Sequence, residues 1–280
     1  MNTKITNRHY IYAVILLSIC CYLSAIAQAT QTVILHHSSN KYGPIWVYDS
    51  ADLKRCLSFV PPGQVIQSCM MTSEPDKLIF DYAKMVLGTL YLNKNPKKIL
   101  MIGLGGGSVA KALYTILPSV KLDIVEINPD IPALAKKYFA FQEDDHTRIF
   151  VEDGFDFIKN SHHNSYDIVI IDAFTKDYVP PSFLTLEFVK NVQNVLKPNG
   201  VVAVNTFKNN SYYELESKLY KEIFGDFFNL ISLETRVIIA KKGELPSFAK
   251  IQKQAINWKF SFTRLDIDEE WLLDKFIKQK

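Results

Sequence analysis

The stretch KKILMIGLGGGSVAKAL, Lys97 to Leu113, joins an apolar run to a glycine-rich turn and then to an amphipathic segment. The turn holds Gly103, Gly105, Gly106 and Gly107. Glycines between a strand and a helix let the backbone approach a ligand closely, and the first amides of the helix can bind polar groups. The stretch therefore predicts the first strand, loop and helix of an α/β domain that binds a ligand at the loop.

The alternation of apolar strand and helix continues downstream. Further strands are predicted at KLDIVEIN, TRIFVED, YDIVIIDAF and GVVAVNTF, with helical segments between them. Nearly continuous apolar strands separated by helices are typical of a parallel sheet covered on both faces. Two later runs, DFFNLISLE and TRVIIAKK, lie close together and predict an antiparallel hairpin that closes the sheet. The predicted fold is a doubly wound α/β sheet with a C-terminal hairpin.

The remaining segments divide the chain. Residues 30–74 alternate short β-rich runs with turn signals and predict a small N-terminal antiparallel β-domain. Residues 75–95 have apolar side chains at helical spacing and predict a connecting helix. Residues 96–245 form the predicted ligand-binding α/β domain. Residues 246–280 form a C-terminal tail, and its last segment, IDEEWLLDKFIKQK, predicts a helix.

Residues 1–29 predict a targeting segment. Two basic residues precede an apolar run from Tyr10 to Ala27 that ends in the A-x-A pattern of a signal-peptide cleavage site. The run approaches the roughly 20 residues that span a bilayer, so an uncleaved membrane anchor is the alternative. Either interpretation predicts an exported protein, periplasmic or secreted, or one anchored in the membrane. Losing Lys4 and Arg8 would lower the formal charge from +3 to +1.

Charge and motif spacing exclude several classes of function. A net charge of +3 without a long basic run argues against nucleic acid as a partner. The six histidines show no spacing typical of a metal site, and the chain has no G-x-S-x-G motif of a serine hydrolase. We therefore expect no metal and a small-molecule substrate. The other partners that we expect are a membrane, through the N-terminus, and a second copy of the chain in a homodimer.

Two cysteines lie outside the targeting segment. In RCLSFVPPGQVIQSC a turn centred on Pro62–Gly63 places Cys56 opposite Cys69. In an oxidising compartment this pair can form a disulfide. The alternative is two small buried thiols in a hairpin, and the pattern leaves both open.

Acidic residues follow three of the predicted strands. Glu126 comes about 20 residues after the glycines, where an acid can bind two ribose hydroxyls. Asp153 and Gly154 follow the next strand, and Asp172 follows the one after it. Ligands bind at the carboxyl edge of such sheets. The spacing predicts a nucleoside ligand. A dinucleotide fold shares this spacing, but Ser108 replaces the third glycine of its pattern, and both the polar residues that follow the third strand and the closing hairpin argue against it.

The loop IDAFTKDYVPP, Ile171 to Pro181, carries two aspartates. Asp172 is predicted to line the ligand crevice. Asp177 is either a general base within reach of a substrate amine or a solvated turn residue. Thr175 cannot replace it, because a hydroxyl is too weak a base at neutral pH.

Five motifs in this order resemble the spermidine synthase (polyamine aminopropyltransferase) family: ILMIGLGGGSVAKAL, VEINPDIPALAKKYF, VEDGFDFIK, YDIVIIDAFTKDYVPPSFLTLEF and LKPNGVVAVN. The likeness runs from about Tyr42 to Lys241. It implies a methyltransferase-like core preceded by a strand domain, and decarboxylated S-adenosylmethionine as the cofactor. It implies aminopropyl transfer to a diamine such as putrescine.

The resemblance also implies roles for individual residues. Glu126 matches the ribose-binding acid, and Asp153–Gly154 match the adenine-binding pair. Gln67 matches a glutamine of the strand domain. Tyr82 matches the tyrosine that faces the amine substrate.

Three departures from the family pattern concern acids that meet cationic groups. Gly106 stands where the family has an aspartate in its glycine loop. Thr175 stands where the family has the aspartate that deprotonates the amine. Ahead of Tyr82 the family has an acidic pair, for which the chain offers only Asp76 and Asp81 at altered spacing. Two alternatives therefore stay open: a methyltransferase that uses S-adenosylmethionine itself, and a catalytically inactive exported nucleoside-binding protein.

Overall fold

The computed structural model describes residues 32–174 and 179–279. Its N-terminal part is a four-stranded antiparallel sheet in the order β1-β2-β3-β4. The strands are β1 (Val33–Asn40), β2 (Gly43–Asp49), β3 (Lys54–Ser58) and β4 (Ser68–Met71). One face of this sheet, with Ile45, Val47 and Leu57, packs into the main hydrophobic core of the molecule. The sheet is therefore fixed to the rest of the fold by its apolar face.

The second sheet has eight strands in the order β12-β10-β11-β9-β8-β5-β6-β7. Its strands are β5 (Lys98–Ile102), β6 (Lys121–Glu126), β7 (Thr147–Val151), β8 (Tyr166–Ile171), β9 (Leu196–Phe207), β10 (Phe227–Ser232), β11 (Thr235–Lys241) and β12 (Phe276–Gln279). The five strands from β5 to β9 are mutually parallel. The hairpin of β10 and β11 is antiparallel and joins the sheet beside β9. The predicted α/β fold, with its small antiparallel sheet and closing hairpin, is confirmed.

The end of strand β8 is a continuous apolar run because both faces of the sheet are covered there. In β8, Ile168 and Ile170 belong to one hydrophobic cluster, and Val169 and Ile171 belong to the cluster on the opposite face. All four side chains are at most 1% exposed. Each such side chain contributes about 1.5–3 kcal/mol on burial. The strand therefore stabilises two helical layers at once.

Nine α-helices and one short 3-10 helix occur within the described residues. The α-helices are α1 (Asp81–Val86), α2 (Thr89–Leu92), α3 (Ser108–Ile116), α4 (Asp130–Tyr138), α5 (Gly154–Asn160), α6 (Leu186–Val195), α7 (Tyr213–Phe224), α8 (Phe248–Thr263) and α9 (Glu269–Asp274), and the 3-10 helix is Pro181–Phe183. The predicted single connecting helix was wrong, because the segment forms α1 and α2 with a break at Gly88. A side chain at Gly88 would meet the ring of Phe276 at 3.0 Å, so the break lies where the C-terminal strand packs closely.

The C-terminal tail also differs from its prediction. The segment predicted as one helix forms α9 only as far as Asp274, and Phe276–Gln279 then pairs with β10 as an edge strand. Phe276 packs against Phe228 and Tyr91, so an apolar contact holds the strand in place. The end of the tail is therefore an edge strand of the α/β sheet.

The two cysteines of the N-terminal sheet are joined. Cys56 and Cys69 are directly opposite in the β3–β4 pairing, and a disulfide links them. The register predicted from the Pro62–Gly63 turn is confirmed. Both cysteines are at most 2% exposed.

Two predictions fall on residues outside the described ranges. The signal peptide or anchor of residues 1–29 is one, and the base Asp177 is the other. Within residues 32–174 and 179–279, no helix is both long enough and apolar enough to cross a membrane.

Candidate active site

One cavity of about 570 Å³ lies between the N-terminal sheet and the carboxyl edge of the parallel strands. The glycine turn, the ends of β6, β7 and β8, and helix α1 form one side of it. The β1–β2 turn and the loop between β3 and β4 form the other side. Of the predicted site residues, those that line the cavity are Gln67, Tyr82, Gly103, Gly105, Glu126, Asp153, Gly154 and Asp172. Its size is that of a small-molecule site.

The glycine turn brings the ends of β5 and β8 together. Gly103 has φ +93, and a Cβ there would lie 2.1 Å from the carbonyl oxygen of Asp172. Only glycine can therefore occupy this position. Gly106 and Gly107 are not part of the cavity lining; Gly107 precedes α3, and its missing side chain leaves room for the ring of Phe141.

Glu126 ends β6 beneath the glycine turn. Its carboxylate accepts hydrogen bonds from the amide of Leu104 at 3.0 Å and from the amide of Asn128 at 3.0 Å. Burial raises the pKa of Glu126, and these backbone hydrogen bonds oppose the rise. The residue thus holds the turn in shape while it faces the cavity.

Asp153 and Gly154 both have a structural role in addition to their place in the cavity. Asp153 is the N-cap of α5, and its Oδ1 accepts a hydrogen bond from the amide of Phe155 at 2.8 Å. A Cβ on Gly154 would lie 2.4 Å from the side chain of Ile102. The close packing of α5 on β5 therefore requires glycine at this position.

Asp172 lies at the end of β8 between two hydrogen-bond donors. Its Oδ1 accepts a hydrogen bond from Nδ2 of Asn205 at 2.9 Å, and the hydroxyl of Tyr82 also binds its carboxylate. Burial raises the pKa of Asp172 to about 6, although both hydrogen bonds lower it. The pKa of Tyr82 is raised well above its usual value by burial and by the charge of Asp172. Asp172 is therefore ionised at neutral pH and close to its titration range.

Several cavity residues were not found from the sequence. Lys41 and Tyr42 form the β1–β2 turn, and Gly43 and Pro44 begin β2. Asn40 fastens this turn by hydrogen bonds to Asn128 and Asp130 at 2.8 and 2.7 Å. The other residues that were missed include Phe59, Ser68, Asn128, Phe174 and Phe183. The turn was recognised in the sequence, but no spacing indicates that it reaches the other sheet.

Asn205 was also missed, although it lies in a motif that carries the resemblance. It is 6% exposed, and its Oδ1 is a buried acceptor that no donor among the described residues reaches. An unsatisfied buried acceptor beside Asp172 fits a ligand or water that donates a hydrogen bond there.

Within the part of the chain that the structure describes, no group of three or more His, Cys, Asp or Glu side chains could hold a metal ion. The polar side chains of the cavity carry carboxylates, amides, hydroxyls and the ammonium of Lys41, which suit a polar organic ligand.

Comparisons with known proteins decide the family. The spermine/spermidine synthase domain model matches residues 79–258. A polyamine aminopropyltransferase of Vibrio vulnificus is 37% identical over 249 residues, which cover 86% of this chain and 83% of that protein. The chain belongs to the spermine/spermidine synthase family. It is a transferase by this relationship.

Solved structures agree with this fold. A spermidine synthase in complex with the transition state analogue AdoDATO superposes with a TM-score of 0.70 at 18% identity, covering 87% of this chain and 85% of the other. Human methyltransferase-like protein 13 in complex with SAH superposes with a TM-score of 0.59 at 21% identity, covering 70% of this chain and 94% of that chain. The fold that spermidine synthases share with methyltransferases is thus present here.

Proposed function

We propose that this protein transfers an aminopropyl group from decarboxylated S-adenosylmethionine to a diamine such as putrescine. One observation carries the proposal: Tyr82, Asp172 and Glu126 line one cavity in a chain of the spermidine synthase family. Glu126 contacts the glycine turn, so its carboxylate can bind the ribose hydroxyls of a nucleoside that lies against that turn. Asp172 lies farther along the same edge, and Tyr82 on helix α1 contacts it there, where a cationic tail and an amine would meet.

The chemistry needs an anion and an uncharged attacking amine. The nitrogen of the diamine forms a bond to the carbon next to the sulfonium, the carbon–sulfur bond breaks, and methylthioadenosine leaves with that electron pair. The attacking nitrogen must lose a proton to a base. Asp172 is ionised at neutral pH and can attract the cationic groups. Asp177 is the residue we propose as base.

Binding of the nucleoside is proposed for the residues along the sheet edge. Gly103 and Gly105 leave space for the ligand, and Gly106 and Gly107 complete the turn. Glu126 would bind the ribose hydroxyls, with Asp153 and Gly154 at the adenine and Gln67 on the opposite wall. The cavity of about 570 Å³ is large enough for this arrangement.

The first test is calorimetric titration of the purified full chain with decarboxylated S-adenosylmethionine, S-adenosylmethionine and methylthioadenosine. A putrescine turnover assay then measures release of methylthioadenosine and formation of spermidine. We expect binding and turnover. Conversion of S-adenosylmethionine to S-adenosylhomocysteine without aminopropyl transfer would instead make the protein a methyltransferase, and binding without any turnover would make it a nucleoside-binding protein.

Variants then assign the loop residues. Asp177→Asn should lower kcat at least about 100-fold if Asp177 is the base, because general-base catalysis contributes factors of this size. Asp274→Asn is a control, since Asp274 is exposed and not part of the cavity. Full activity of the Asp177→Asn variant would remove this residue from the mechanism.

Export remains a proposal with one structural support. A disulfide such as Cys56–Cys69 persists in an oxidising compartment and is rare in the cytosol. Determining the mature N-terminus of the purified protein tests it. An intact Met1 on soluble protein from the cytoplasm would contradict export.

A further inference from the structure

Ser68 forms the wall of the cavity opposite the glycine turn. It is 4% exposed, and its Oγ lies 2.8 Å from the position that a Cβ on Gly106 would take. The ring of Phe139 lies 3.0 Å from the same position. The space beside Gly106 is therefore filled by a neutral hydroxyl and an aromatic ring, and a carboxylate on residue 106 would not fit there.

The position of Ser68 is held from both sides. The next residue, Cys69, is bonded to Cys56, and its carbonyl oxygen accepts a hydrogen bond from the hydroxyl of Ser108 at 3.4 Å. The preceding residue, Gln67, donates its amide to the carbonyl of Leu57 at 3.0 Å. Because its neighbours are held in place, Ser68 presents its hydroxyl at a defined position in the cavity wall.

The order of the strands indicates which part of the ligand meets Ser68. Neighbouring strands β7, β6, β5 and β8 present Asp153, Glu126, the glycine turn and Asp172 in that order. This step rests on the proposed function: a nucleoside with its base near Asp153 and its ribose at Glu126 extends its tail over the glycine turn toward Asp172. The tail therefore passes Ser68.

Charge at the tail end of the cavity is low. Among the described residues, the carboxylates that line the cavity are Glu126, Asp153 and Asp172, and only Asp172 lies beyond the glycine turn. Lys41 also lines the cavity, but it lies in the β1–β2 turn that Asn40 fastens to Asn128 and Asp130, on the Glu126 side. Among the residues that the structure describes, a carboxylated tail thus meets one anion, Asp172, and a tail that carries only an ammonium has that one carboxylate to bind.

We propose that Ser68 is a specificity-determining residue whose hydroxyl contacts the tail of the S-adenosyl donor, so that the site binds S-adenosylmethionine nearly as well as its decarboxylated form. The two donors differ by one carboxylate on the carbon that bears the amine. A hydroxyl can donate to that carboxylate or accept from the ammonium. A repelling charge at this wall would select against the carboxylate, and the neutral hydroxyl of Ser68 does not supply one.

Calorimetry on the full chain measures the selectivity of the site as the ratio of the dissociation constants of S-adenosylmethionine and decarboxylated S-adenosylmethionine. For the unchanged protein we expect the two donors to bind within about tenfold of each other. Ser68→Asp should shift the ratio at least about tenfold toward decarboxylated S-adenosylmethionine, because the new carboxylate repels the tail carboxylate and attracts the ammonium. Methylthioadenosine has no such tail, so its affinity should change less than about threefold.

Two control variants separate charge from shape and position. Ser68→Asn has the size of Ser68→Asp without the charge and should leave the ratio within about threefold of its starting value. Ser73→Asp adds the same charge at an exposed residue outside the cavity and should also leave the ratio unchanged. A shift with Ser73→Asp equal to that with Ser68→Asp would overturn the proposal.

The outcomes distinguish this inference from the proposed function. A preference above about tenfold for the decarboxylated donor in the unchanged protein, or an unaltered ratio in a Ser68→Asp variant that still binds methylthioadenosine, overturns the inference alone. A shifted ratio without putrescine turnover supports the inference and refutes the proposed acceptor. Absence of binding for all three ligands refutes both. Where Ser68→Asp does not fold, Ser68→Ala should weaken S-adenosylmethionine at least about threefold more than methylthioadenosine, and equal weakening contradicts the proposal.

Discussion

The side-chain amide of Asn205 donates a hydrogen bond to Asp172 across 2.9 Å, from the strand next to the one that Asp172 ends. The hydroxyl of Tyr82, on helix α1, binds the same carboxylate. Two donors from distant parts of the chain thus hold an acid that burial would otherwise keep protonated. The pKa of about 6 is the result of this balance.

The first prediction concerns the pH dependence of donor binding. Affinity for decarboxylated S-adenosylmethionine should rise with pH through about 6, as Asp172 ionises. Tyr82→Phe removes a hydrogen bond that favours the ionised form, so the midpoint should move upward by roughly 0.5–1 pH unit. Titration between pH 5 and 8 measures it, with Tyr114→Phe as a control outside the cavity. An unmoved midpoint in Tyr82→Phe would show that Asp172 does not govern binding.

The second prediction concerns stability. The folded state raises the pKa of Asp172 from 3.8 to about 6, so the protonated form is favoured by folding. This contribution to stability is fully present below pH about 4 and is lost as pH rises through about 6. Allowing for solvent in the cavity, Asp172→Asn should raise the free energy of unfolding by about 2 kcal/mol at pH 7.5 and have little effect at pH 4. Urea unfolding at both pH values measures it, and equal effects at both would contradict the assigned pKa.

The third prediction compares two glycines with similar backbone angles. Gly103 has φ +93 and Gly63 has φ +89, but only at Gly103 would a Cβ collide with backbone, whereas nothing lies within 4 Å at Gly63. Gly63→Ala should cost about 1–2 kcal/mol from the backbone angle alone. Gly103→Ala should cost more than about 3 kcal/mol and abolish ligand binding, since β5 and β8 must separate. Equal losses in thermal unfolding would mean that the contact with Asp172 is not rigid.

The fourth prediction concerns the disulfide. Cys56 and Cys69 are 13 residues apart, and a closed loop of this size contributes about 3 kcal/mol in the chain-entropy model. Dithiothreitol should therefore lower the free energy of unfolding in urea by about that amount. The double variant Cys56→Ala, Cys69→Ala should be equally unstable with and without reductant. Insensitivity of the unchanged protein to reductant would show that the bond is absent or energetically neutral.

The fifth prediction concerns a buried lysine that joins the two parts of the fold. Lys111 is 6% exposed, and its ammonium donates to the carbonyl oxygens of Pro75 and Phe139 at 2.7 and 2.8 Å. Lys111→Met keeps the length of the side chain but leaves both carbonyls without this donor, and it should cost about 2–3 kcal/mol. Lys121→Met, at an exposed position, should change stability by less than about 0.5 kcal/mol. Equal stability of the two variants would show that water replaces the ammonium.

The contrast between the glycine loop and Ser68 shows how far sequence reasoning reaches. The loop follows an apolar strand directly, so its place at the sheet edge could be predicted from period and order. Glu126, Asp153 and Asp172 could be predicted for the same reason, because parallel strands bring their carboxyl ends to one edge. Ser68, in contrast, reaches the loop from a different sheet.

The sequence by itself therefore determined the succession of strands and helices along the chain, the closing hairpin, the opposition of Cys56 and Cys69, and one wall of the cavity. These features depend on local periodicity and on short turns. Only the tertiary structure decided the opposite wall, the break at Gly88, the edge strand at Phe276–Gln279 and the contact between Asn205 and Asp172. Such features arise because apolar faces from distant parts of the chain pack together. No local periodicity of the sequence indicates which faces meet or at what distance and angle.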